Sequence, residues 1–296
     1  MYVYLNKGLV RGSEAAVSVF DHGFLYGDGV YETMRVYDDV VFMVDEHLAR
    51  LYRSASMIGL TVPLDNDGIK SSIYETLEAN SLRNAYVRLT LSRGYGPPGL
   101  DPDLCNEPTF VIIAEQMRNY PREFYEDGIR IIIATTRRNP VGAINPQIKS
   151  LNFLNNILAK IEAKREGAYE AVMLNVSGHI AEGTVSNVFF FRDNVLYTPS
   201  VACGILDGIT RGLVLDIAER EGIAVQEGEF TPDDIYGASE VFVTNTTMEV
   251  MPVSGVDDVK YKVGDMGKLL RSIYRKEVVS YVKNAAGRGP ALWGYE

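Results

Sequence analysis

The sequence reads as an α+β protein of two domains, and three observations carry that reading. Strand-like and helix-like patterns follow one another without a strict βαβ alternation. The chain has 296 residues, long for one domain and comfortable for two. Between its halves lies MRNYPREFYEDG, residues 117–128, a polar stretch with Pro121 and no hydrophobic period. Residues 1–116 are therefore expected to form a smaller N-terminal α+β domain, 117–128 a linker, and 129–296 a larger C-terminal α+β domain.

The elements follow in order. MYVYLNKGLVRG alternates apolar and polar residues as a strand does, and strand, turn and strand precede a helix at DEHLARLYRSASMIGL. Leu48, Leu51, Ala55 and Ile58 make its apolar stripe. A second helix is expected near residues 66–80, then strands at YVRLTLSRGYG and PTFVIIAEQ joined by a loop rich in Gly and Pro. The second half opens with the buried strand IRIIIATTRRN. Next comes a helix in NPQIKSLNFLNNILAKIEA, ended by Gly167, in which Leu151, Leu154, Ile157, Leu158 and Ile161 have the spacing of one buried face. A strand pair, EAVMLNVSGHIAEGTVSNVFFF, turns at Ser177-Gly178. A helix at 210–222, the strand EVFVTNT, a long helix near 265–284 and a loosely tethered tail, GRGPALWGYE, complete the chain.

Composition narrows the function. With 46% hydrophobic and 23% charged residues, the chain is of ordinary globular type. No apolar run reaches the roughly 18–20 residues of a membrane span, and the N-terminus lacks the pattern of a signal peptide. Cys105 and Cys203 are far apart and have no metal-ligand spacing; with no export signal they favour a reducing cytoplasm. His22, His47 and His179 are scattered, so no metal is expected. A formal charge of −10 argues against nucleic acid as partner, although a local basic cluster can still bind a small anion.

Five features could carry chemistry. Lys149 stands at the mouth of the helix just described, where a lysine adds little to packing. The field of a helix N-terminus, with partial burial, would lower its pKa from about 10.4 toward the neutral amine that Schiff-base chemistry needs. Glu182 lies in an otherwise uncharged hairpin, HIAEGTVSNVFFF, and a half-buried carboxylate requires a partner. Gly208 precedes Ile209 and Thr210 at a helix start, which leaves amides for a phosphate. Thr244, Asn245, Thr246 and Thr247 put donors at a strand end. Arg50 flanks the apolar stripe of its helix and could turn inward as a two-pronged phosphate ligand. Each alone has an ordinary structural explanation: a solvated lysine, a surface glutamate, a plain capped helix, a plain strand end, a snorkelling arginine. Together they are the parts of a pyridoxal phosphate site.

In this order the motifs resemble class IV aminotransferases, the fold-type IV pyridoxal phosphate enzymes. The resemblance runs through FDHGFLYGDGVYETMRVY, EHLARL, IKSLNFLNNILAKIEA, AEGTVSNVF, LDGITR and TNTTMEVMPV, nearly the whole chain. It implies two α+β domains of the D-amino acid aminotransferase-like fold, with pyridoxal 5'-phosphate between them, in a homodimer. It implies that Lys149 holds the cofactor as an imine and moves the substrate proton. Glu182 would bond the pyridine nitrogen, Leu206 pack on the ring, and Arg50, Ile209, Thr210 and Thr246 bind phosphate.

The amine is less sharply marked. SRGYGPPGLDP and the Lys149 segment resemble the branched-chain amino acid aminotransferases. TVSN after Glu182, and Thr246 with Thr247, look closer to the D-amino acid group. Thr33 stands where the branched-chain group has a small glycine, and Phe153 where it has a tyrosine. Tyr31, Thr33, Arg35, Arg93, Tyr95 and Thr247 are the candidate substrate contacts. The first reading is a ping-pong transaminase for branched-chain or similar hydrophobic amino acids and a 2-oxo acid such as 2-oxoglutarate. A D-amino acid transaminase with (R)-amine activity, and an aminodeoxychorismate lyase, are the alternatives.

Overall fold

A computed structural model describes residues 1–286 of the chain. The expected tail, residues 287–296, lies outside the described residues. The chain sorts into two compact units. One holds Met1–Arg118, Ile148–Asn152 and the end of the last helix from Val278; the other holds Asn119–Gln147 and Phe153–Glu277. The reading that gave everything after residue 128 to the second domain is corrected at two places: the five residues around Lys149 and the end of the last helix pack with the first unit.

In the first unit the chain forms β1 (Tyr2–Leu5), β2 (Gly8–Arg11), α1 (His22–Tyr26), β3 (Gly29–Tyr37), β4 (Val40–Val41), α2 (Val44–Met57), α3 (Asn66–Ala79), β5 (Ala85–Ser92) and β6 (Thr109–Gln116). The strands make a six-stranded antiparallel sheet in the order β2-β1-β6-β5-β3-β4. Alternation along β3 sends Val30, Met34 and Val36 into the core, with Leu48, Leu51 and Ala55 of α2 and Ile69, Ile73 and Leu77 of α3. Tyr31, Thr33, Arg35 and Tyr37 share its other face. Asp65 starts α3 by accepting a hydrogen bond from the Gly68 amide.

β4 is only two residues long and pairs with the end of β3, at Val36 and Tyr37. The start of β3 pairs instead with residues 149–151: Tyr31 N–H donates to the Lys149 carbonyl, and Leu151 N–H to that of Gly29, both at 2.9 Å. Gly29 keeps this edge open, because a Cβ there would lie 2.5 Å from the Leu91 carbonyl oxygen and 2.7 Å from Leu151.

The second unit begins with α4 (Arg122–Glu126), within the stretch expected as linker; its Phe124 and Tyr125 pack on the second core. There follow β7 (Ile129–Ile133), α5 (Leu154–Arg165), β8 (Glu170–Leu174), β9 (Ile180–Gly183), β10 (Asn187–Arg192), β11 (Val195–Pro199), α6 (Ile209–Arg220), β12 (Val225–Gly228), α7 (Pro232–Tyr236), β13 (Glu240–Asn245), β14 (Glu249–Val256), β15 (Val259–Lys260) and α8 (Asp265–Ala286). The sheet order is β12-β11-β10-β13-β14-β7-β8-β9, with β15 on β14. β10 is buried on both faces: Phe190 enters the main core while Phe189 stacks on Phe242, which explains its unbroken apolar run.

α5 departs from expectation twice. It begins at Leu154, so Lys149 lies in extended chain ahead of it rather than at its mouth. Its expected buried stripe faces outward: Leu154, Ile157, Leu158 and Ile161 are 69, 50, 47 and 40% exposed. Ala159 and Ala163 face inward instead, against Ala171 and Met173 of β8. Two alanines let helix and strand approach closely, and the larger residues are left on the far side.

Candidate active site

In the first unit the site is built around the start of β3. Lys149, half-buried, is fixed by its carbonyl on β3 and by its N–H, which donates to Ser54 Oγ at 3.2 Å. Its Nζ lies 4.5 Å from the centre of the Tyr31 ring. The Arg88 guanidinium lies 4.2 Å from the same ring. Two basic side chains thus meet one phenol on the face of the sheet opposite the core. Burial pushes the Tyr31 phenol above its ordinary value, against the lowering effect of Arg88. Thr33 stands opposite Arg88 in the sheet register, and Arg35 stacks at 4.4 Å on Tyr37.

Arg50 sits on α2, on the buried side of β3. Its Nε and Nη2 donate to the two oxygens of Glu32 at 2.7 and 2.8 Å, and the ring of His47 joins one of them at 2.7 Å through Nδ1. All three side chains are buried. Burial alone would raise the Glu32 pKa; the charge and hydrogen bonds of Arg50, with those of His47, hold it well below the carboxylate range. For His47 burial wins, and its pKa is lowered despite Glu32. Glu32 was legible in the sequence: the alternation of VYETMRVY puts it on the face of Val30 and Met34, where a carboxylate needs a cation.

Two candidate substrate contacts are placed elsewhere. Arg93 donates to both oxygens of Asp28 and to the carbonyls of Ile58 and Gly59, which makes it a framework residue. Tyr95 is 64% exposed and packs edge-to-face on Phe20.

In the second unit Glu182 lies on β9, buried. Its Oε1 accepts from Arg138 Nε and its Oε2 from the Leu206 amide, each at 2.8 Å. Asn187, at the start of β10, donates to the Leu206 carbonyl at 3.0 Å. Two residues on, Gly208 caps α6 with no side-chain hydrogen bond, so the first-turn amides of Ile209 and Thr210 meet no capping side chain. Thr244 pairs with Asn187 across the sheet, and its buried hydroxyl makes no hydrogen bond among the described residues. Thr246 follows in a half-buried turn, where Asn245 Oδ1 accepts from the amides of Thr247 and Met248. The Thr247 hydroxyl meets Tyr120 at 3.0 Å. Glu182, Leu206, Ile209 and Thr210 are thus held about Asn187, with Thr246 two residues past its cross-strand partner. The sequence reading missed Arg88, Glu32, His47, Asn187 and Arg138.

A family model for amino-transferase class IV matches residues 29–256. A Methanocaldococcus jannaschii protein named "Putative branched-chain-amino-acid aminotransferase" is 45% identical over 93% of this chain and 95% of its own. D-alanine aminotransferase of Bacillus licheniformis is 37% identical over 92% of this chain and 94% of its own. Among solved structures, the branched-chain aminotransferase of the thermophilic archaeon Thermoproteus uzoniensis with norvaline has a TM-score of 0.88 at 32% identity, covering 95% of this chain and 95% of its own. The chain belongs to the class IV aminotransferases, and its fold is that of the fold-type IV enzymes.

Enzymes of this class use pyridoxal 5'-phosphate, and the residues present fit that group. The first turn of α6 has no side-chain cap, and beside Asn187 the buried Thr244 hydroxyl lacks a partner among the described residues; both are donors suited to a phosphate. Glu182 has a donor on each oxygen and acceptor capacity for one more N–H.

Proposed function

We propose that this aminotransferase moves an amino group between branched-chain or similar hydrophobic L-amino acids and a 2-oxo acid such as 2-oxoglutarate, by a ping-pong mechanism. The observation that carries the reading is the setting of Lys149: an amine on a backbone-anchored segment, beside Tyr31 and Arg88. The bound cofactor supplies an electron sink that makes a proton on the amine-bearing carbon labile. Lys149 would hold the cofactor's aldehyde between turnovers, and its Nζ would take up and return that proton. Glu182 accepts the hydrogen bond of the ring nitrogen. Arg50 and the amides of Ile209 and Thr210, with Thr246, bind the phosphate. Leu206 packs on the ring. Tyr31, Thr33, Arg35 and Arg88 line the face that the substrate meets. The resemblance and the relatives support the branched-chain donor; the homodimer rests on the resemblance alone, and the cytoplasmic setting on the two widely separated cysteines.

A second reading, a D-amino acid transaminase, is favoured by Thr33, by TVSN at residues 184–187 and by the similarity to a D-alanine aminotransferase. Borohydride reduction of the cofactor-loaded protein should leave the cofactor's mass on the peptide carrying Lys149, and Lys149→Ala should abolish both this label and turnover. In single half-reactions L-Leu should discharge the bound cofactor's absorbance and D-Ala should not. The reverse order would replace the first reading with the second, and a label on another lysine would remove both.

A further inference from the structure

Two buried carboxylates stand within one hairpin, and the chain treats them differently. Glu170 on β8 is 1% exposed, and five neutral donors reach its two oxygens: the amides of Ala171, Thr184 and Val185 and the hydroxyls of Thr184 and Ser186. A carboxylate has about four acceptor sites, so Glu170 is saturated, and its work is to hold the turn after β9. Glu182, twelve residues on, receives two donors among the described residues, and one of them is a guanidinium.

That guanidinium is itself fixed. The Arg138 amide donates to the Leu174 carbonyl at 2.9 Å, at the end of β8. Its Nη1 donates to Asn155 Oδ1 at 3.3 Å, and Asn155 in the first turn of α5 donates through Nδ2 to the Arg137 carbonyl at 2.7 Å. The Asn139 amide reaches the same Asn155 oxygen at 3.3 Å. The side chains of Arg138 and Glu182 are 11 and 7% exposed, so water screens the pair little. An arginine anchored at backbone and side chain sets the rotation of the carboxylate plane, and the Leu206 amide fixes its second oxygen.

We propose that Arg138 is a positioning residue for Glu182: it balances the buried carboxylate and aims its remaining acceptor sites at the cofactor's ring nitrogen. This rests on the reading of Glu182 as partner of that nitrogen. Arg138 touches neither substrate nor cofactor in this role; it acts through Glu182.

A double-mutant cycle on cofactor binding tests it. Apoprotein of wild type, R138M, R138K, E182Q and E182Q/R138M is titrated with pyridoxal phosphate, and the 15N resonance of the labelled ring nitrogen is recorded in each loaded form. R138M should weaken binding on the order of tenfold, the lower end of what removal of a ligand-orienting partner costs. It should also move the resonance toward that of the unprotonated ring. R138K, which keeps the charge, should stay closer to wild type than R138M in both readouts. In the E182Q background R138M should change affinity less than about twofold, because the group it acts through is gone. Equal losses in both backgrounds, no loss in either, or an R138K no better than R138M would overturn the proposal. If R138M does not fold, Asn155→Ala, which frees the guanidinium without removing it, is read in its place by the same criteria. Should E182Q alone leave affinity and resonance unchanged, the reading of Glu182 falls first, and that result is distinct from a failure of Arg138.

Discussion

Glu32 has no solvent exposure, and it is held there by Arg50 and His47, which meet both of its oxygens. Removing one partner of such a buried pair leaves the other charge unpaired, at a cost of about 3–5 kcal/mol. Glu32→Ala should therefore lower the urea midpoint markedly, while a substitution at exposed Glu46 should not. The pH dependence has a definite sign. Both Glu32 and His47 have folded pKa values below their unfolded ones, so the unfolded chain binds more protons. Their contribution is fully present above the ordinary histidine value of 6.5. It shrinks as pH falls through that value, then further below the ordinary carboxylate value of 4.5. Urea melts of wild type between about pH 7.5 and 4 should show this decline, and His47→Gln, which removes the group that titrates in the upper part of that range, should flatten it. A variant as acid-sensitive as wild type would remove the triad as its source. At this scale the sequence tells which residues are chemically apt but not which are already engaged. Arg93 has the right chemistry for a substrate carboxylate, yet Asp28 and two carbonyls take up its guanidinium. Arg138 stood unnoticed in TTRRNP because the reach of a guanidinium across neighbouring strands has no signature in spacing.

Elements with one dry face were read well. The stripe of α2 meets a single core, so period and burial agree. α5 misled because its inner face is made of Ala159 and Ala163, too small to register against the leucines and isoleucines beside them. The start of α6 was legible through its glycine, though the reason differs from a turn's need for unusual backbone. Gly208 has φ −75° and ψ 132°, which any residue adopts. What it supplies is space: a Cβ would lie 2.0 Å from Asn187 Oδ1. Gly208→Ala should push Asn187 aside, loosen its bond to the Leu206 carbonyl, and crowd the helix amides. Binding of pyridoxal phosphate should fall on the order of tenfold, as when a charge-assisted hydrogen bond is lost. Pyridoxal without the phosphate should bind the variant and wild type alike. Equal losses for both ligands would show that Gly208 serves the ring and not the phosphate.

For the molecule as a whole, charge and apolar surface pull in opposite directions. Each chain carries a formal charge of −10, so two copies repel at long range. On α5 the residues Leu154, Ile157, Leu158 and Ile161 form a continuous apolar stripe at helical spacing, all of it exposed in the single chain. The homodimer expected from the resemblance makes a second copy of the chain the occupant we propose, and a stripe that covers its own symmetry mate buries the same residues twice. Burying four such side chains on each copy contributes several kcal/mol at about 25 cal/mol per Å². That gain is insensitive to salt, whereas the repulsion is screened within about 8 Å at physiological ionic strength and reaches about 30 Å at 0.01 M. Sedimentation at roughly 0.15 M salt should accordingly give twice the chain mass of 32.9 kDa, with a dissociation constant that rises as salt is lowered. Ile157→Asp adds a charge at the middle of the stripe and should give single chains at every salt concentration, with the helical circular dichroism of wild type because the residue is half exposed there already. A wild-type dimer that tightens at low salt would mean polar pairing holds it, and an Ile157→Asp dimer as tight as wild type would place the interface on another surface.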